Sequence, residues 1–230
     1  MLRALLAAAT AVAGLTLAGT ATAGEVVERD DEGRVIRLDV RAEGVDTRWY
    51  ANLLRRAAHG DEIASVTVRI VAAGEIHAEC GPSASGCYSR EGGRGLMIVP
   101  AGRSSAIAHT VVHEYGHHVD ASRRHGGLPE PNGTPSWWQA RGMDRLVDLL
   151  SVARTYRLGW ERSIAEIFAE DYVYLNLGGT FRIGWLKPPD ATVRRAILAD
   201  LGLDAPPALG ERPPALRPVV ITRSGTLAAS

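Results

Sequence analysis

Two histidines four residues apart, with a glutamate directly after the first, form the string His113-Glu114-Tyr115-Gly116-His117. On an α-helix, positions i and i+4 share a face, so both imidazoles can be aimed at one metal ion. Zinc is the usual occupant of such a pair. Glu114 lies about 100° around the helix from His113, beside the ion rather than on it. A carboxylate in that place suits a general base acting on an attacking water.

Two histidines do not complete a catalytic zinc site, which takes three protein ligands and an open position. A third histidine in the metzincin pattern is excluded, because Asp120 and Arg123 stand where that pattern needs Gly and His. The run from Ser163 to Tyr172 offers a better donor. Its Ile164, Ile167, Phe168 and Leu175 form an apolar stripe, and Glu166 and Glu170, four apart, share a different face. Two carboxylates on one half-buried face repel each other unless a cation intervenes. Glu166 is therefore expected as the third ligand. Glu170 is expected to hold His113 through its other ring nitrogen. Asp171 and Glu161 are weaker candidates. His109, one turn before His113, can ligate a second metal or steer water, and is read as a supporting donor behind the ligands. Asp120, three after His117, is expected to brace that ligand or bind an arginine. His118 faces elsewhere and is read as incidental. Trp137-Trp138 can line a pocket, with core anchoring the stronger reading.

The elements that must position these groups follow from periodicity. Alternation predicts strands at Val35–Val40 and at 65–71, and a hairpin around 91–95 joining Tyr88-Ser89 to Leu96–Val99. Helical spacing predicts helices at 46–58, 104–122, 136–154, 161–175 and 190–201. Ser104 and Ser105 are N-cap candidates after the breaker Pro100-Ala101-Gly102. Strands dominate before the histidine helix and helices after it. This order predicts an α+β domain with a small N-terminal mixed sheet and a mostly helical C-terminal half.

The first 23 residues read as a secretory signal peptide. Arg3 precedes an apolar stretch from Leu5 to Ala18, and Ala21-Thr22-Ala23 is a cleavage site. Removing 23 of the 230 residues leaves 207, a length suited to one domain at 24–204, followed by a Pro-rich tail at 205–230 with a possible strand at Val219–Thr222. Lys plus Arg and Asp plus Glu both number 26, which gives no bias toward nucleic acid. Nothing after the leader is apolar enough for membrane insertion, and a monomer is the expected state. Cys80 and Cys87 are expected to form a disulfide in an oxidising compartment, worth about 2.5 kcal/mol on the chain-entropy model.

His113-Glu114-Tyr115-Gly116-His117-His118-Val119-Asp120, followed by Glu166-Ile167-Phe168-Ala169-Glu170, resembles the gluzincins, and among them the catalytic domain of anthrax lethal factor-type peptidases. The likeness covers about a quarter of the chain. It implies a zincin-like fold, zinc on His113, His117 and Glu166, and Glu114 as base. That family carries a tyrosine seven residues before the ligand glutamate. Here the position is Gly159, followed by Trp160. Tyr156 is the nearest substitute, and Tyr172 and Tyr115 are poorer ones.

The reading that follows is a secreted zinc endopeptidase acting on peptide or protein substrates. An extended peptide would pair with a sheet edge near 85–90, and the disulfide would stiffen that wall. The alternative is a non-catalytic secreted zinc-binding interaction module of the same fold, against which the presence of Glu114 argues.

Overall fold

A computed structural model describes residues 24–123 and 133–203. The expected leader, residues 124–132, and the expected tail with its strand lie outside the described residues.

Alternating apolar residues build a five-stranded sheet. Its strands are β1 (Gly24–Arg29), β2 (Val35–Val40), β3 (Val66–Val71), β4 (Cys87–Glu91) and β5 (Arg94–Pro100), in the order β1-β2-β3-β5-β4. The three central strands run parallel, and each edge strand runs antiparallel to its neighbour. Leu38, Val68 and Met97 stand in register across the centre and are fully buried. They form one row of the face on which the helices pack.

Helix α1 (Thr47–Arg56) makes the crossover from β2 to β3, with Asp46 capping it through the Trp49 N–H. A 3-10 turn at Asp61–Ser65 leads into β3, and the short helix α2 (Ile76–Cys80) follows it. Ile76 packs with Val71 and Ile98 on the opposite side of the sheet, beside the Cys80–Cys87 disulfide. The disulfide therefore fixes the start of β4.

Helix α3 (Ser105–Ser122) carries the two-histidine string. Ser104 caps it by accepting from the Ile107 N–H. Val111, Val112, Tyr115 and Val119 supply its buried apolar side. Next come α4 (Pro135–Arg141), α5 (Met143–Asp148), α6 (Ile164–Leu177) and α7 (Ala191–Asp200). Asp190 caps α7 through the Thr192 and Val193 N–H groups.

The expected single helix at 136–154 is a correction. Gly142 takes a left-handed conformation, φ 67°, that ends α4 and starts α5. The segment after Asp148 leaves helical geometry altogether, with Leu150 at φ 52°. Helix α6 also starts later than expected. Two 3-10 turns, Tyr156–Leu158 and Trp160–Arg162, precede it around Gly159 at φ 91°. Strand β1 and helix α2 have no counterpart in the periodicity reading.

Helices α3 and α6 pack face to face, and Gly116 makes this possible. A Cβ there would stand 3.1 Å from the Ala169 Cα and 3.3 Å from the Tyr172 side chain. The glycine inside the histidine string is thus a point of close approach between the two helices.

Candidate metal centre

The packing of α3 on α6 interleaves their polar faces. Reading from one end, His117, Glu166, His113, Glu170 and His109 alternate between the helices like teeth of a zip. His117 Nε2 lies 3.5 Å from Glu166 Oε1, and His113 Nε2 lies 3.0 Å from Glu166 Oε2. On its other side, His113 Nδ1 lies 3.0 Å from Glu170 Oε1, and His109 Nε2 lies 3.2 Å from that same oxygen. The spacing follows from i,i+4 placement on both helices, with the α6 carboxylates set half a step from the α3 imidazoles.

One nitrogen each of His113 and His117 and one oxygen of Glu166 fall within 4.8 Å of one another. Zinc bonds of about 2.0–2.1 Å at tetrahedral angles separate neighbouring donors by about 3.3 Å. The 3.0 Å from His113 Nε2 to Glu166 Oε2 and the 3.5 Å from His117 Nε2 to Glu166 Oε1 lie on either side of that value, on the two oxygens of one carboxylate. Two imidazoles and a carboxylate are also the donor set zinc accepts, so the residues fit a divalent ion of that class.

Electrostatics point the same way. Burial works against a charge on His113, but its hydrogen bonds to Glu166 and Glu170 outweigh this and push it up to about 10. Burial would raise Glu166, yet His113 and His117 hold it far below the ordinary carboxylate range. Glu170 is likewise held down to about 2 against its burial, by His109 and His113. The cluster attracts positive charge, in the form of a proton or a metal ion.

Glu114 is 5% exposed and lies off the ligand face. Burial raises its pKa, while His113 and His117 pull it down. The backbone at Gly86 covers it. A Cβ at Gly86 would come within 2.6 Å of Thr110 Cγ2 and 3.2 Å of Glu114 Oε1. Gly86 directly precedes Cys87, so the disulfide tethers the segment lying against this carboxylate.

Aromatic groups frame the site. Tyr156 donates its hydroxyl to Glu166 Oε1 at 2.6 Å. The Trp160 ring stacks on His113 at 6.1 Å, and the Tyr88 ring on His117 at 6.5 Å. The family resemblance pointed to Tyr156, but nothing in the sequence marked Trp160, Tyr88 or Gly86 as neighbours of the expected ligands. These reach the site from loops and an edge strand, and no periodicity signals such an approach.

The remaining expectations resolve as follows. His118 is not incidental. It is fully buried, with Nε2 2.9 Å from the Glu62 carbonyl and Nδ1 3.1 Å from the Tyr88 hydroxyl. The carbonyl can only accept, so Nε2 carries the proton and Nδ1 accepts from Tyr88. His118 therefore ties α3 to the Asp61–Ser65 turn and to β4. Asp120 is 1% exposed and accepts from the Gly133 N–H at 2.8 Å. Trp137 is a core anchor, fully buried and donating to Asp171 at 2.7 Å. Asp171 is engaged there and by Arg141 at 2.7 Å.

Asp30, Glu32 and His59 also gather possible donors. Asp30 there already takes the Arg34 guanidinium and the Glu32 and Arg34 backbone N–H groups, so a cation would meet Arg34 first. A polar cavity of about 960 Å³ lined by Arg34, His59, Glu62, Arg90 and Arg123 includes none of the residues of the α3–α6 cluster.

Among the described residues, no helix is long and apolar enough to cross a membrane. No family model matches the chain, and neither a curated protein nor a solved structure matches it.

Proposed function

We propose that this chain is a secreted zinc-dependent endopeptidase of zincin-like fold. The observation that carries this reading is the convergence of His113, His117 and Glu166 with Glu114 buried alongside. Zinc in that triad would polarise a scissile carbonyl and bring the pKa of an attacking water from 15.7 to about 7.

The chain's own groups supply the rest. Glu114, its proton affinity raised by burial, takes the proton of the attacking water and passes it to the leaving amine. Tyr156, on an exposed turn with its hydroxyl at Glu166, turns that donor toward the oxyanion as charge develops there. Among the described residues, β4 is an edge strand with β5 as its one sheet neighbour. An extended peptide would add to that edge through backbone hydrogen bonds, and the Tyr88–His117 ring contact supports an approach from that edge to the proposed ligands. The disulfide supports export to an oxidising compartment, in keeping with the expected leader. A peptide or protein substrate and a monomeric enzyme complete the reading.

The test is cleavage of a diverse peptide library by zinc-loaded mature protein beside Glu114→Ala. Cleavage lost in the variant at unchanged zinc content is the expected result. No cleavage by folded, zinc-loaded wild type overturns the peptidase and leaves the zinc-binding module.

A further inference from the structure

The His/Glu alternation runs one rung beyond what a single zinc site uses. Glu170 is 1% exposed, and its Oε1 accepts from His113 Nδ1. Its second oxygen, Oε2, is buried without a hydrogen-bond partner among the described residues. His109 Nε2 is in the same condition. It lies 3.2 Å from Glu170 Oε1, yet without the alignment of a hydrogen bond. An unmatched oxygen and an unmatched nitrogen thus belong to two adjoining side chains, and buried polar atoms are normally satisfied by protein, water or an ion.

A cation held between His109 and Glu170 would give each of these groups a partner. The 3.2 Å His109–Glu170 contact resembles the 3.0 and 3.5 Å contacts that His113 and His117 make with the two oxygens of Glu166. His109, His113 and Glu170 offer donor atoms within 4.8 Å of one another. The His109 side chain is 12% exposed, with Nε2 on its buried side.

We propose that His109 and Glu170 form a second, outer cation site for a divalent transition metal such as zinc, one helical turn beyond the first. His113 then stands between two ions, facing the inner one through Nε2 and the outer one through Nδ1 and Glu170. This rests on the reading of His113, His117 and Glu166 as the inner site. With two protein residues against three, the outer site binds more weakly.

The experiment is equilibrium dialysis of the full mature chain against Zn²⁺, with metal counted by elemental analysis. It is repeated for His109→Ala and for His109→Phe, which keeps ring volume without a donor, with circular dichroism checking the fold. The expected result is two ions per wild-type chain, one tight and one weak, and one tight ion in either variant. Saturation of the wild type at one ion overturns the outer site and leaves the inner one standing. Two ions retained in both variants also overturn it, by placing the second elsewhere. No bound zinc in folded wild type removes the inner site as well.

Discussion

Glu170 Oε1 and His113 Nδ1 meet at 3.0 Å, joining α6 to α3 directly behind the nitrogen that faces Glu166. With a metal ion on Nε2, the carboxylate would accept the one proton left on the ring, at Nδ1. It also holds the ring plane in place, with Trp160 stacked on it. In the proposed site, His113 is thus oriented by a residue that is not itself a ligand of the inner ion.

Removing that orientation should weaken metal binding without unfolding the protein. Glu170→Gln keeps the shape but trades a charged acceptor for a neutral one. Zinc affinity should fall about 10–100-fold, measured by competition with a chromophoric chelator. Unchanged affinity would show that Glu170 does not hold His113.

Zinc and protons compete for His113. Its pKa of about 10 in the metal-free protein means that each bound ion displaces a proton. Apparent zinc affinity should therefore rise about tenfold per pH unit below that value. Calorimetry in buffers of differing ionisation enthalpy counts the proton released.

The same shifts set the stability of the metal-free fold. His113 is raised above its ordinary 6.5, so its contribution is complete below that pH and is lost as pH rises through about 10. Glu170 is lowered from 4.5 to about 2, so its contribution is complete above 4.5 and is lost as pH falls through about 2. The α3–α6 cluster should stabilise the apo-protein most between about pH 4.5 and 6.5. A melting series with chelator present checks this. A Tm contribution of the cluster that keeps rising through neutral pH would contradict it.

Tyr156→Phe removes one hydroxyl from the site. If that group stabilises the oxyanion, kcat falls on the order of 10²-fold with KM little changed, and zinc content is retained. Equal loss in kcat and zinc occupancy would make Tyr156 a support for Glu166 alone.

Gly116→Ala tests the helix contact. The added methyl meets the Ala169 Cα at 3.1 Å, backbone that cannot swing aside. A cost of about 1–3 kcal/mol and weaker zinc binding are expected from denaturation and metal titration. A neutral effect on both would mean that α3 and α6 separate without consequence.

The metal face was legible because it is local. Ser104 caps α3, and the i,i+4 spacings of His113 with His117 and of Glu166 with Glu170 each lie within one helix. The meeting of Glu170 with His113 could be anticipated because paired carboxylates need a cation. What escaped depends on tertiary placement. Strand β1 pairs Val26 with Leu38 but leaves Val27 55% exposed, so no clean alternation marks it. Gly142 interrupts an apolar stripe whose spacing continues through the break, which hid the division of α4 from α5. Gly86, Tyr88 and Trp160 border the ligands only because β4 and the turns before α6 fold back onto α3.

The most direct test of the central claim is a crystal structure of the zinc-loaded mature protein, with anomalous diffraction collected on both sides of the zinc absorption edge. A strong peak bounded by His113 Nε2, His117 Nε2 and Glu166, with Glu114 close by but not coordinating, is the predicted result. An anomalous peak only at another group, such as Asp30 and His59, would contradict the account.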